Sequence, residues 1–308
     1  IHGGKDGFRL FKDWRDSGAG ICNTCGCFSD GLSLLSAIRQ ESFRETLLAV
    51  AGVLNITENS GTYKPVVPVC TEAPKPSTEE LKNSPERKAA VRLWESGIPF
   101  NKENASQVSV LRKYLLNRSL DLTFVPELRF LPCAKTQSGG KIVEFPAMLG
   151  AIRDLEGNLV SVHRTFLTQD GKKAPIEVPK KIMHLSEFDS ISGCAIRFGK
   201  PGRVLALAEG IETALSVVKA TGFACWSCVC AGGLKSVRIP DFVKTVLIFE
   251  DKDLSQAGQK AANALKKRLT EEGKTVFIAE PPMPLEEGVK SVDFNDVWEV
   301  LGRNGFPY

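Results

Sequence analysis

From residue 201 onward the chain alternates continuous apolar runs with amphipathic ones. "RVLALAEG" gives way to "IETALSVVKAT", which Gly222 stops; "FACWSCVC" and "KTVLIFED" follow, then "LSQAGQKAANALKKRLTEEG", which Gly273 stops, and "TVFIAE". Strands that are apolar at every position must be covered on both faces, and helices between them supply the cover. The pattern predicts an α/β domain over residues 201–308, a parallel sheet flanked by helices.

Two of those strands end in carboxylates: Glu209 after "VLALA", and Glu250, Asp251 and Asp253 after "VLIF". The carboxyl ends of the strands in an open α/β sheet border the crevice where ligands bind. Asp251 and Asp253 are two residues apart, so an extended backbone would aim both the same way. Converging carboxylates are hard oxygen donors suited to Mg²⁺ or Mn²⁺, and Glu209 could take a proton from an attacking hydroxyl. The competing reading is of solvated loop acids or helix caps, since Asp253 precedes a helix and Glu209 begins one.

Upstream, residues 85–200 read as an α+β segment. Helices are predicted in "SPERKAAVRLWESG", opened by Ser84 with Pro85 at its first turn, and in "ASQVSVLRKYLLNRS". "AMLGAIRDLEGNLVSVHRTFLTQDGKKAPIEV" reads as strands joined by turns at "DLEGN" and "TQDGKK". Residues 57–84 are rich in Pro, Thr, Ser and Glu and read as a linker. Residues 1–56 combine short strands around Gly and Cys with one or two helices in "DGLSLLSAIRQESFRETLLAVAGVL", capped by Asp30 or Ser33.

Composition sets outer limits. Of 308 residues, 43% are hydrophobic and 25% charged, and the formal charge of +4 permits a nucleic-acid partner without requiring one. No apolar run reaches the roughly 20 residues a membrane span needs, so no membrane partner is expected. Of nine cysteines, six cluster at 22, 25, 27 and 225, 228, 230. That spacing favours reduced thiols or metal ligands, and hence a cytoplasmic location. The chain begins at Ile1 and reads as a fragment of something longer.

"LALAEGIETALSV", followed about forty residues later by "LIFEDKDLSQAGQKAANAL", resembles the Toprim domain with its E-G and D-x-D motifs. The pattern continues through "AGGL" (231–234) to "SVDFNDVW", as in the Toprim primases of plasmids, phages and integrative elements. "RLWESGIPF", "LRKYLLNRSL", "LRFLP" and "VHRTFLTQDGKKA" are similar to the segment that precedes Toprim in that group. The resemblance implies that Glu209 is the general acid/base of nucleotidyl transfer and that Asp251 and Asp253 carry the Mg²⁺ or Mn²⁺. Asp293 or Asp296 would complete the acidic site, and Glu250 would be an extra ligand or a passenger.

At the N-terminus, "IHGGKDGFRLFKDWRDSGAGICNTCG" offers His2, Cys22 and Cys25. A Cys-x2-Cys pair with a third soft ligand about twenty residues away fits part of a tetrahedral zinc site. The order is similar to that of the primase zinc ribbon, whose first cysteine would fall three residues before His2; Cys27 could substitute. Lys5, Arg9 and Phe8 would then engage single-stranded template by charge and ring. "CWSCVC" repeats the spacing, but inside an apolar strand it reads as core.

The cations His163, Arg164, Lys172, Lys173, Lys180, Lys181 and Arg197 could hold template phosphates or an incoming triphosphate, or form a solvated face. The resemblance favours Arg164 and Lys173, and His163 reads as packing. No G-x-x-x-x-G-K-[ST] loop occurs, so unwinding would come from a helicase in trans or in a further domain. The resemblance implies a DNA primase that makes short RNA primers from ribonucleoside triphosphates on single-stranded DNA. The rivals are a Toprim nuclease using the same acids, a topoisomerase, for which Tyr63, Tyr114 and Tyr308 are the available nucleophiles, and a non-catalytic nucleic-acid-binding module.

Overall fold

The computed structural model describes residues 8–11, 13–22, 26–54, 56, 77–186, 189–286 and 288–307. The chain divides into two compact units, residues 1–72 and 73–308.

In the first unit, β1 (Phe8–Leu10), the short helix α1 (Trp14–Ser17), β2 (Gly20–Cys22) and β3 (Gly26–Phe28) lead to two helices, α2 (Gly31–Arg39) and α3 (Phe43–Val53). The three strands form an antiparallel meander with Phe8 opposite Cys22 and Ile21 opposite Cys27. Asp30 and Ser33 cap α2 together: the Asp30 carboxylate accepts the Ser33 N–H at 2.8 Å, and the Ser33 hydroxyl accepts the Asp30 N–H. Ser42 and Glu45 cap α3 in the same reciprocal way.

The second unit opens with α4 (Thr78–Lys82), which lies in the segment expected to be linker, and α5 (Pro85–Ser96), capped by Ser84. Then come β4 (Ile98–Pro99), α6 (Ser109–Leu116), β5 (Leu128–Ser138), β6 (Lys141–Arg153), β7 (Leu159–Phe166) and β8 (Lys180–Ile182). These strands form one antiparallel sheet in the order β4-β5-β6-β7-β8. The long β5–β6 hairpin is absent from the sequence reading. Pro132 and Pro146 interrupt its strand pattern, and the register slips between Leu131 and Ala134 to absorb the irregularity.

The chain continues through β9 (Ile196–Phe198), β10 (Val204–Ala208), α7 (Ile211–Thr221), β11 (Cys225–Ser227), α8 (Ala231–Ser236), β12 (Thr245–Phe249), β13 (Lys252–Asp253), α9 (Ala257–Glu271), β14 (Thr275–Ala279), β15 (Ser291–Val292) and α10 (Phe294–Leu301). The second sheet runs β14-β12-β10-β11-β9, parallel except for β9 at its edge. Gly222 and Gly273 end α7 and α9 in the left-handed region (φ 75° and 79°).

Side-chain alternation explains the two covered faces. Leu205, Leu207, Val246 and Ile248 pack with Leu234, Ala261, Leu265 and Leu269 from α8 and α9. Ala206, Ala208, Leu247 and Phe249 face the other way, toward Ala214 and Leu215 of α7 and Phe294 and Val297 of α10. That second core continues into Leu111, Leu115, Leu128, Met148 and Ile152, so the antiparallel and parallel sheets share it. Each fully buried Leu or Phe contributes about 1.5–3 kcal/mol by removal from water.

"FACWSCVC" forms a shorter strand than its apolar run predicts. Pairing ends at Ser227, Val229 takes a φ of 72°, and Cys230 caps α8 by accepting the Gly233 N–H at 3.4 Å. Cys225 and Cys228 are buried free thiols, and Cys230 is exposed.

Candidate active site

β10 is the central switch strand: the chain leaves it through α7 to β11 on one side and returns through α8 to β12 on the other. Ala208 and Phe249 are register partners. The next residues, Glu209 and Glu250, therefore leave neighbouring strands side by side, with Asp251 directly after. Glu209 is pinned through its own carbonyl, which accepts the Val229 N–H at 2.8 Å and the Ser227 hydroxyl at 2.9 Å.

Three carboxylates, Asp293, Glu209 and Asp253, act electrostatically on a fourth, Asp251. Burial, then the charges of Asp293 and Glu209, push Asp251 up to about 8. Its Oδ1 is buried with no hydrogen-bond partner. Burial and Asp253 raise Glu209, and burial and Asp296 raise Asp293. Asp253 behaves differently. Burial opposes its charge, but the Ser255 hydroxyl and the backbone N–H of Gly258 (3.1 Å) hold it below the usual range. Asp251 and Asp253 do not share one strand ladder as expected: Lys252 and Asp253 pair with β15, Asp251 precedes that pairing, and Asp253 accepts the Gly258 N–H at the start of α9.

Asp293 and Asp296 divide the work at the start of α10. Asp293 Oδ1 accepts the N–H groups of Asn295 (2.7 Å) and Asp296 (3.1 Å), while Asp296 reaches back to the Asp293 N–H at 2.9 Å. The electrostatic link to Asp251 runs through Asp293. Glu250 answers to different charges: burial and Glu280 raise it, and Lys252 opposes them.

Among the described residues no group of three or more His, Cys, Asp or Glu side chains is already closed around a metal position. The donors nevertheless fit a divalent ion. They are hard oxygens, and a buried carboxylate oxygen without a partner, among like charges, calls for a cation.

Glu212, which the sequence reading passed over, completes the pocket with Tyr114, named there only as an available nucleophile, and Lys180, named there only among a run of cations. Glu212, in the first turn of α7, is 5% exposed. Its Oε1 accepts the Tyr114 hydroxyl and its Oε2 pairs with Lys180 Nζ at 3.0 Å. Burial works against its charge, but Lys180, Tyr114 and Lys173 hold it far below the carboxylate range. Lys180 also acts electrostatically on Glu209 and Asp251, lowering both, so its ammonium is within electrostatic reach of the acidic cluster. Beside it, Tyr114, Asn117, Arg118, Gly171, Lys172 and Lys173 line a cleft of about 520 Å³.

The remaining expected residues scatter. Arg164 is half-buried over the Phe166 ring at 5.6 Å with Nε unpartnered. Lys172 pairs with Asp170 at 3.0 Å on the surface. Lys181 donates to Thr136 Oγ1 and the Gln137 carbonyl, each at 2.8 Å. Arg197 stands apart from the acidic pocket: it stacks 4.5 Å over Trp226 and donates to the Asp154 carbonyl. His163 is buried and pushed down to about 4, so it stays neutral near pH 7. Arg9 is exposed on β1. His2, Lys5 and Cys25 lie outside the described residues, and of Cys22 only the backbone, in β2, is described.

Residues 204–304 match the family model of the Toprim domain. Residues 1–32 match the zinc-binding domain of primase-helicase, and residues 84–197 match a domain of unknown function (DUF7146). No curated protein matches the chain. Among solved structures, it is similar to the RNA polymerase domain of Mycobacterium tuberculosis primase DnaG (16% identity, TM-score 0.40, 74% of this chain and 81% of that one). It is also similar to a DnaG primase catalytic domain bound to ssDNA (14%, 0.45, 70% and 77%) and to the zinc-binding and RNA polymerase domains of Aquifex aeolicus primase (16%, 0.37, 98% and 74%).

Proposed function

We propose that this chain, a Toprim-domain protein with a primase-type zinc-ribbon sequence ahead of it, is a DNA primase that makes short RNA primers on single-stranded DNA. The reading extends to replication of a plasmid, phage or integrative element, with a helicase as partner. Its main support is the convergence of Glu209, Asp251, Asp253 and Asp293 at the ends of β10 and β12 and the start of α10, with Asp251 Oδ1 buried and unpartnered. The zinc-binding primase-helicase match at residues 1–32 turns the reading toward primase and away from nuclease.

In this reading Asp251, Asp253 and Asp293, with Glu209, hold Mg²⁺ or Mn²⁺. When bound, the metal supplies charge neutralisation at the transferring phosphoryl group and polarises the attacking hydroxyl. Glu209, raised by burial and by Asp253, accepts the proton of that 3′-hydroxyl. Lys180 and Lys173 offer ammonium donors to the triphosphate, and Arg164 and Lys172 extend the positive face toward template. His2, Cys22 and Cys25 would hold a structural Zn²⁺, with Lys5 and Arg9 beside it on template.

The test is synthesis of labelled oligoribonucleotides on single-stranded DNA with Mg²⁺ or Mn²⁺, beside Glu209→Gln. Oligomers from the wild type and none from the variant support the reading. A shortened template without oligomers would replace it with a nuclease.

A further inference from the structure

The most constrained side chain of the pocket is not one of the strand-end acids. Glu212 sits three residues after Glu209, which makes it look like one more metal ligand, yet both of its oxygens are engaged. One accepts from Tyr114 on α6, the other from Lys180 on β8. A carboxylate this buried, with both oxygens occupied by protein donors, has little left to give a metal. Lys180 is different: its side chain is 37% exposed, and the Glu212 contact is its one hydrogen bond among the described residues. An ammonium has three donors, so two remain for a ligand, within electrostatic reach of Glu209 and Asp251. Tyr114 also lines the basic cleft that carries Arg118 and Lys173.

We propose that Glu212 and Tyr114 are positioning residues: they fix the Lys180 ammonium on the rim of the acidic pocket, where it meets a nucleotide phosphate, and Glu212 is not a metal ligand. The inference deepens the primase reading and rests on it for the identity of the ligand. Its physical basis is loss of freedom. A lysine on a flexible four-carbon stem surrenders rotamer entropy when it grips a phosphate. An ion pair to a buried carboxylate, itself held by Tyr114, restricts the stem before the ligand arrives. Because α6, α7 and β8 each contribute one member, the arrangement also ties the segment before residue 200 to the Toprim helix that follows Glu209.

An effect exerted only through Lys180 must vanish when Lys180 is removed, and a double-mutant cycle reads that directly. The probe is Mg-ATP bound to the whole chain, measured by calorimetry, with melting temperature recorded in parallel. Lys180→Met is expected to weaken binding about tenfold and Lys180→Arg to restore most of it. Glu212→Gln is expected to weaken binding about fivefold in the wild-type background and less than about twofold in Lys180→Met. Tyr114→Phe carries the same expectation at about two- to threefold, and serves if Glu212→Gln does not fold.

Equal effects in both backgrounds would overturn the proposal, as would a lower melting temperature with unchanged binding, which is a purely structural role. Loss of oligomer synthesis by the wild type with the coupling intact would sink the primase reading alone. Oligomer synthesis with additive variants would sink this proposal alone. A wild-type chain that binds no Mg-ATP overturns the proposal as well.

Discussion

Asp253 accepts the Gly258 backbone N–H at 3.1 Å, whereas Asp251, two residues earlier, keeps a buried Oδ1 with no donor. Acids so close in sequence therefore hold their charges on opposite terms. Asp253 is stabilised by the start of a helix without any metal. Asp251 has no such donor, and the distant charge of Lys180 does not offset its burial, so its anion is stabilised when a further cation arrives.

This asymmetry gives the metal-free protein a pH signature. Asp251 rises from an ordinary 3.8 to about 8 in the fold. Between those values the folded chain holds a proton that the unfolded chain releases, so stability from this group is present below about pH 4 and is lost as pH climbs to 8. Melting temperature in EDTA is expected to fall from pH 5.5 to 8. Saturating Mg²⁺ should reverse the trend, because it binds the deprotonated form. Asp251→Asn should give a shallower metal-free curve and abolish the Mg²⁺ shift. A wild-type curve that is flat or rising in EDTA would contradict the assignment.

Asp293 and Asp296 separate by substitution. Asp293→Asn keeps a side-chain oxygen for the α10 cap, so its melting temperature should stay near wild type while primer synthesis falls by about a hundredfold or more. Asp296→Ala removes the reciprocal half of the capping box and should cost about 0.5–1 kcal/mol of stability. Its synthesis should drop no more than about threefold, since the link to Asp251 runs through Asp293. Chemical denaturation and oligomer yield, measured on both variants, check the division.

Gly258 is a steric requirement of the acidic loop. A Cβ there would lie 2.9 Å from the Asp251 carbonyl and 3.4 Å from Asp253 Oδ2. In most helix positions Gly→Ala stabilises through propensity. Here the Asp251–Asp253 backbone must move, and Gly258→Ala should weaken Mn²⁺ binding about tenfold, one log unit in Kd by titration. Gly232→Ala is the control: its nearest neighbour would be 3.9 Å away, and its metal affinity should not change.

How far the sequence could be read followed the range of the interactions. The strand–helix rhythm after residue 201 depends on contacts within a few residues, so β10, β12, β14 and their helices are legible, as are the Ser84 and Asp30 caps. The acids at strand ends are legible because topology alone brings them together. Glu212 is not: in sequence it is an ordinary acid in the first turn of a helix, and its partners lie 98 and 32 residues away. Its one local signal is its place in the first turn of α7, three residues after Glu209. The β5–β6 hairpin escaped because its prolines mask strand periodicity, although Gly139-Gly140 marks its turn.

Arg197 and Lys173 stood together as cations for nucleotide or template, and their surroundings differ. Arg197 lies 4.5 Å from the Trp226 ring centroid and donates to the Asp154 carbonyl, joining the edge strand β9 to the turn after β6. Arg197→Met should therefore cost about 1–2 kcal/mol of stability while leaving the nucleotide KM unchanged. Lys173 lines the same cleft as Tyr114, on a loop that comes close to α6 at Gly171, where a Cβ would meet the Tyr114 nitrogen at 2.7 Å. Lys173→Met should leave the melting temperature within about a degree and raise the nucleotide KM about fivefold. The two substitutions thus make opposite entries in stability and in KM. A rise in KM from Arg197→Met with unchanged stability would return Arg197 to the nucleotide site and remove the reason for separating them.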